Sequence, residues 1–88
     1  MIVKIDKSFA KDVEKINSSS INKKISRIIL GIQKASKVSE ISNLKKLHGT
    51  KNYYRIRMSD YNIGIIIFKE EVQLVRLLHR KDVYKYFP

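Results

Sequence analysis

The sequence predicts a small α+β domain in which two amphipathic helices pack on one face of an antiparallel sheet. Three observations predict it. Isoleucines recur at helical spacing in the N-terminal half, the apolar period changes to two residues after Tyr53, and short polar turns separate the later strands. The 88 residues suffice for a single domain, 1–88. A domain of this size buries only about 60–65% of the surface that its unfolded chain exposes.

The N-terminal half predicts one strand followed by two helices. Residues 2–5 are rich in β-branched side chains and predict the strand. Ser8 is a candidate N-cap for a helix over about residues 9–17. The break "NSSS" supplies caps for the next helix, whose apolar stripe is Ile21, Ile25, Ile28, Ile29 and Ile32. The opposite side of that helix carries lysine and arginine, so the stripe is expected to face the core.

The C-terminal half predicts a connection and a three-stranded meander. Residues 34–52 are expected to connect the helix to the sheet, with a short helical turn near Val38–Ile41 and a stop at Gly49. The apolar residues then alternate through three strands, "YYRIRM", "YNIGIIIF" and "VQLVRLLHR". Turns this short favour antiparallel pairing of all three strands.

Two helices can cover only one face of the meander. The covered face is expected to hold Ile56, Ile63, Ile65, Ile67, Val75 and Leu77. The uncovered face is expected to gather Tyr53, Arg55, Arg57, Asn62, Gly64, Arg76 and Arg80. That face has no carboxylate, so its arginines would repel one another unless an anion binds them. The alternative is an ordinary solvated sheet face.

The composition favours an anionic partner. Lysine and arginine number 19 against 8 aspartate and glutamate, a net charge of +11. Nucleic acid is the expected partner of such a chain, with an acidic protein, an anionic membrane surface or solubility alone as alternatives. The absence of cysteine excludes disulfides, thiolate metal sites and cysteine nucleophiles and fits a cytoplasmic location. The longest apolar run, "IGIIIF", has six residues, which is too short to span a membrane.

Two segments, "LKKLHGTKNYYRIRMSDYNIGIIIF" and "LLHRKDVYKYFP", together resemble the RelE/ParE superfamily of toxins. The elements that carry the resemblance are Leu47 and Gly49, "YRIR" at 54–57, Asp60 and Tyr61, His79 and Arg80, and "DVY" at 82–84. Their order and spacing, rather than any one motif, are typical of that family. The resemblance implies a RelE-like microbial ribonuclease-type fold and the toxin of a bacterial or archaeal type II toxin–antitoxin system.

The resemblance also implies an activity and partners. RelE-like toxins cleave mRNA in the ribosomal A site, and this branch is favoured. ParE-like toxins, which inhibit DNA gyrase without nuclease chemistry, are the alternative. The partners expected on this basis are a cognate antitoxin in a heteromeric complex, and the ribosome with its mRNA. No metal or other cofactor and no membrane are expected.

Metal-free RNA cleavage requires charge stabilisation and proton transfer. The ribose 2′-OH attacks its own phosphate and leaves a 2′,3′-cyclic phosphate, so the developing charge on the phosphate oxygens must be balanced. The guanidinium fork suits that role, and the resemblance assigns it to Arg55, Arg57 and Arg80. Tyr84 and His79 are the candidate proton-transfer residues. Strand alternation points His79 toward the helices, where a structural histidine at the core edge is the alternative.

Five further residues are predicted to contact RNA: Tyr53, Asn62, Arg76, Lys51 and Lys81. The ring of Tyr53 is a candidate stacking platform for a base. Asn62 departs from the family pattern, in which arginine usually follows the tyrosine. Losing one preorganised donor lowers a rate about 10²–10³-fold, so a weak or inactive relative is a further alternative. The terminal Tyr86 and Phe87 are expected to pack against the sheet or the antitoxin.

Overall fold

The computed structural model describes all 88 residues and contains five strands, three α-helices and one 3-10 turn. In chain order they are β1 (Ile2–Ile5), α1 (Lys7–Ile16), α2 (Ser19–Lys34), the 3-10 turn (Val38–Glu40), β2 (Leu44–Lys46), β3 (Tyr53–Met58), β4 (Tyr61–Phe68), β5 (Glu71–His79) and α3 (Val83–Tyr86). The strands form one sheet in the order β1-β5-β4-β3-β2. The predicted meander of β3, β4 and β5 is confirmed, and β1 joins β5 in parallel, so the sheet is mixed.

Polar side chains set the ends of the two long helices. The carboxylate of Asp6 accepts the backbone N–H of Ser8, so α1 begins two residues earlier than predicted, and Ser8 lies inside the helix. Asn17 ends α1 in the left-handed conformation, with φ 47°. Ser18 then caps α2 by accepting the backbone N–H of Ile21, as the "NSSS" break predicts. Neither helix is long and apolar enough to cross a membrane.

The main core lies between the two long helices and one face of the sheet. Its fully or nearly fully buried members include Phe9, Ile21, Ile25, Ile32, Ile56, Ile63, Ile65, Ile67, Val72, Leu74 and Leu77. The isoleucine stripe of α2 therefore faces the core, as predicted. The placement of Val75 on this face is wrong. A β-bulge pairs Gly64 with Arg76 and Ile65 with Leu74, so Val75 has no partner and turns to the opposite face.

A strand at one edge of the sheet is absent from the sequence prediction. β2 pairs antiparallel with β3 inside the segment that was expected to be an irregular connection. It has only three residues, two of them exposed lysines, so it gives no alternating apolar signal. Short strands and lysines are common at sheet edges because they discourage pairing with another chain. The helical turn expected in the same connection is confirmed at Val38–Glu40.

A second, smaller core covers part of the face that was expected to be open. It consists of Leu47, Leu78, Val83 and Phe87, with Tyr53, Ile66 and Val75 packed against it. The prediction that Gly64 lies on an uncovered face of the sheet is therefore wrong. A Cβ atom on Gly64 would lie 2.7 Å from the ring of Phe87, so the ring rests directly on this glycine. Phe87 packs on the sheet, as the sequence predicted, and the cover leaves only one end of the face open.

The N-cap of α1 makes the stability of the fold depend on pH in the acidic range. Hydrogen bonds from the side chain and backbone of Ser8 hold the pKa of the Asp6 carboxyl below its ordinary value of 3.8. A carboxyl with a lower pKa in the folded state stabilises the fold fully only above the unfolded value, and this contribution is lost as the pH falls through the folded value. We expect Asp6→Asn to lower the urea unfolding midpoint at neutral pH, with the difference from wild type shrinking below pH 3.8. A difference that stays constant into acid would contradict this assignment.

Candidate functional site

A shallow pocket of about 180 Å³ lies at the open end of the sheet face that carries the small core. Its lining residues are Arg55, Arg57, Asn62, Arg80 and Tyr84. Four of the five side chains that the sequence assigned to catalysis therefore meet here, joined by one assigned to RNA contact. They come from β3, β4, the residue after β5, and α3.

Strand alternation and one tight turn bring the arginines together. Arg55 and Arg57 are two residues apart on β3 and point to the same face. The turn between β3 and β4 places Asn62 directly opposite Arg57. The backbone N–H of Arg80 donates to the carbonyl of Asp60 in that turn, at 2.8 Å. This bond holds the end of β5 beside the turn and so brings Arg80 to the pocket.

Tyr84 reaches the pocket from α3. Its phenol oxygen accepts a hydrogen bond from Nε of Arg55, at 3.1 Å. The side chain is otherwise open to solvent, with the residue 66% exposed. Because the oxygen accepts this bond, the phenol hydrogen stays available to donate to a ligand. Tyr84 is therefore the one group of the pocket able to give a proton.

The pocket carries uncompensated positive charge. No carboxylate lines it, and the two ion pairs of the structure, Lys4–Glu71 and Arg76–Asp12, lie elsewhere. Three guanidinium groups that line one pocket without a counter-charge repel one another, and an oxyanion held by bidentate hydrogen bonds would remove that repulsion. The geometry therefore suits an anion such as a phosphate group.

Asn62 is the neutral member of the lining. The residue is 4% exposed, and its side-chain oxygen is buried without a hydrogen-bond partner. The amide nitrogen is therefore the atom through which Asn62 can meet a ligand in the pocket. It adds a hydrogen-bond donor between Arg57 and Arg80 but no charge.

The structure does not bring His79 to the arginines. Its ring meets Tyr61 edge-on, with centroids 5.8 Å apart, and its Nδ1 accepts the backbone N–H of Lys81 at 3.3 Å. His79 lines a different depression, beside Asp12 and Lys15 of α1. Strand alternation predicts this direction correctly. The ring lies at the edge of the core, which is the position expected if His79 has a structural role.

Arg76 is also absent from the pocket, which corrects its placement on the open face. Nε of Arg76 donates to a carboxylate oxygen of Asp12 at 2.8 Å, and this hydrogen bond raises the pKa of the guanidinium above its ordinary value. The bulge at Val75 lies immediately before Arg76, at the point where β1 ends, and Arg76 turns to α1 instead of to the pocket. Its charge is compensated inside the protein by the Asp12 carboxylate.

The remaining predicted RNA contacts surround the pocket without lining it. Tyr53 is half-buried and meets the ring of Phe87 edge-on, with centroids 5.5 Å apart. Lys51 and Lys81 are exposed in the loops before β3 and after β5. Their roles stay predictions.

The feature that the sequence interpretation missed is α3, which carries Tyr84 to Arg55. A signal for it exists in the sequence. Asp82 precedes Val83 and Phe87, which are four residues apart and so lie on one face of a helical turn. Both side chains are buried in the small core. The anchoring of this turn decides where Tyr84 lies.

Comparison with known proteins identifies the family. Residues 3–84 match the sequence model of a family described as the ParE toxin of the type II toxin–antitoxin system parDE. Toxin RelE3 of Methanocaldococcus jannaschii is 38% identical over 89 residues, which cover all of both chains.

Solved structures agree with this match. The RelB–RelE antitoxin–toxin complex from Methanococcus jannaschii contains a chain that is 39% identical, with a TM-score of 0.79, covering 97% of this chain and 99% of that one. The isolated E. coli RelE toxin has a TM-score of 0.64 at 18% identity, covering 96% of this chain and 90% of that one, and so shows a shared fold. The chain therefore belongs to the ParE toxin family of type II toxin–antitoxin systems, and it is a RelE-like toxin.

Proposed function

We propose that this toxin is a ribosome-dependent endoribonuclease that cleaves mRNA in the A site and so inhibits translation. The observation that carries the proposal is the pocket itself, in which three arginines without a carboxylate surround a tyrosine that is hydrogen-bonded to one of them. Gyrase inhibition by binding alone would not require such a grouping. Likeness to RelE3 over the whole chain supports the same branch of the superfamily.

The proposed reaction needs no group other than RNA and protein. The ribose 2′ oxygen forms a bond to the adjacent phosphorus, the bond from phosphorus to the 5′ oxygen breaks, and a 2′,3′-cyclic phosphate and a 5′-OH result. Arg57 and Arg80 bind the phosphate oxygens and stabilise the negative charge that grows on them in the transition state. Arg55 contributes to the same positive field and holds Tyr84 by its Nε.

Tyr84 is the proposed proton donor. Its O–H can protonate the departing 5′ oxygen, which otherwise leaves as a poor alkoxide. The arginines of the pocket cannot act as bases because they stay protonated. The proton of the 2′-OH therefore passes to water or to a group that the ribosome supplies. His79 is not needed in this scheme, since it lies outside the pocket lining.

The proposed partners follow from charge and from the related complex. A net charge of +11 attracts the toxin to the phosphates of the ribosome and the mRNA. The 39% identical relative was solved together with a RelB antitoxin, so we propose that this toxin also forms a heteromeric complex with a RelB-type antitoxin. We propose the cytoplasm as the place of both interactions.

The test is cleavage of a defined mRNA on stalled ribosomes. We expect purified toxin to cut within the A-site codon, to leave 5′-OH ends and 2′,3′-cyclic phosphates, and to leave the mRNA intact when ribosomes are omitted. Mapping of the fragment 5′ ends checks the position. Intact mRNA in the presence of folded toxin would overturn the proposal.

If the natural toxin leaves the mRNA intact, two further experiments distinguish a weak nuclease from a gyrase inhibitor. Asn62→Arg supplies the charged donor that the family pattern has at this position. Cleavage by this variant alone would identify the natural protein as a weak relative. The match to the ParE family favours DNA gyrase as the second target, and inhibition of gyrase supercoiling by the intact toxin would move the assignment to that branch.

A further inference from the structure

The C-terminal helix α3 is too short to hold its own shape. It has four residues, and a single helical turn is unstable in water because nucleation costs more than its few hydrogen bonds return. Its order must come from packing against the sheet. Two side chains of α3 face outward, since Tyr84 and Tyr86 are both more than half exposed. Val83 and Phe87, four residues apart, are buried.

Phe87 packs against Gly64 at a position directly beside the pocket, and we call this position the seat of Phe87. Its ring rests on Gly64, where a Cβ atom would lie 2.7 Å from the ring carbons. Gly64 is paired across the sheet with Arg55, and Arg55 is the residue that donates to Tyr84. The same β3–β4 pair thus supports the ring of Phe87 through its glycine and meets the phenol of Tyr84 through its arginine. Only glycine leaves room for this arrangement, because any side chain at position 64 would displace the ring.

We propose that Phe87 is the positioning residue that holds Tyr84 in the arginine pocket, acting through its seat on Gly64. Phe87 does not line the pocket and has no role in the reaction itself. Tyr84 is too exposed to be fixed by its single hydrogen bond to Arg55, since an exposed bond of this kind competes with water. The inference rests on the proposed function for its kinetic consequence, although the anchoring itself can be measured without activity.

The expected consequence separates turnover from binding. Phe87→Ala empties the seat, so α3 samples undocked states and Tyr84 is correctly placed only for a fraction of the time. A rate that depends on a fractionally populated state falls by that fraction. We expect kcat for mRNA cleavage to fall at least about tenfold. KM should change little, because Arg55 and Arg57 remain on β3 and Arg80 remains bonded to the β3–β4 turn through its backbone N–H.

The kinetic experiment compares matched variants. Tyr86→Ala removes an exposed aromatic ring from the same turn and should leave kcat unchanged. Phe87→Leu keeps apolar volume in the seat and should recover most of the rate. If Phe87 acts only through Tyr84, the double variant Tyr84→Ala/Phe87→Ala should be no slower than Tyr84→Ala alone. A double variant slower by the full factor, or an equal loss from Tyr86→Ala, would overturn the inference.

A second readout does not depend on catalysis. The backbone N–H groups of Tyr86 and Phe87 donate to the carbonyls of Asp82 and Val83 when α3 is formed. In Phe87→Ala we expect fast hydrogen exchange at both amides, with unchanged protection in β5. Retained protection of α3 would overturn the inference even if the rate falls. If wild-type toxin does not cleave mRNA, the proposed function fails, and hydrogen exchange alone decides whether Phe87 anchors Tyr84.

Discussion

Replacing Arg80 with glutamine should lower the rate of ribosome-dependent mRNA cleavage about 10²–10³-fold, as expected for the loss of one preorganised donor to a transition state. Glutamine keeps a hydrogen-bonding side chain of moderate length but removes the charge and the bidentate fork. Arg80 is exposed and has no carboxylate partner, so the free energy of unfolding should change by no more than about 0.5 kcal/mol. The measurement is single-turnover cleavage on stalled ribosomes, with urea unfolding of the same preparation.

The matched control for Arg80→Gln is Arg27→Gln. Arg27 is an exposed arginine of α2, on the helical side of the sheet, and its substitution removes the same charge. General attraction to the ribosome would make both variants weaker to a similar and strongly salt-dependent degree. A specific pocket requires a large loss only at Arg80. Equal rates for Arg80→Gln and wild type would remove Arg80 from the proposed mechanism.

The sequence predicts those parts of the fold in which one periodic pattern extends over many residues. α2 has five isoleucines at helical spacing, β3 alternates polar and apolar residues from Tyr54 to Met58, and β4 has an apolar residue at every second position from Tyr61 to Ile67. The prediction fails where a local event changes the pattern. The bulge at Val75 shifts the alternation of β5 by one residue, and no glycine or proline in β5 marks it. β2 is too short to show any period.

More of the arginine pocket than of its surroundings could be predicted from the sequence. Arg55 and Arg57 share a face because they lie two apart on one strand, and this holds for any register of the sheet. The environment of Arg76 depends instead on tertiary structure, because Asp12 is 64 residues away in the chain. Phe87 on Gly64 is a similar long-range contact. A sequence alone gives the composition of a face, but a covering segment from elsewhere in the chain decides which part stays open.

Removing Asp12 should destabilise the fold more than removing any exposed carboxylate. Beyond residue 74, β5 has no β1 residue beside it, and α1 supplies substitutes for the missing strand. The hydroxyl of Ser8 lies within hydrogen-bond distance of both the Asp6 carboxylate and the carbonyl of Val75, which share its one proton. The carboxylate of Asp12 accepts the backbone N–H of Leu77 at 2.9 Å as well as the guanidinium of Arg76. Ser8 and Asp12 are four residues apart on one face of α1, and their partners Val75 and Leu77 are two residues apart on β5. The helix therefore closes an edge that would otherwise expose unpaired backbone groups.

We expect Asp12→Ala to lower the free energy of unfolding by about 2–3 kcal/mol. Breaking a fully buried ion pair costs about 3–5 kcal/mol, and this pair costs less because the Arg76 and Asp12 side chains are 31% and 16% exposed. The lost acceptor for Leu77 adds to the effect.

Asp12→Asn keeps an acceptor for that N–H but no charge for Arg76, so about half of the loss should remain. Urea unfolding followed by circular dichroism measures both, and Glu14→Ala, at an exposed site on the same helix, should stay within about 0.5 kcal/mol of wild type. If Asp12→Ala is no less stable than Glu14→Ala, then α1 does not close the β5 edge in the way described.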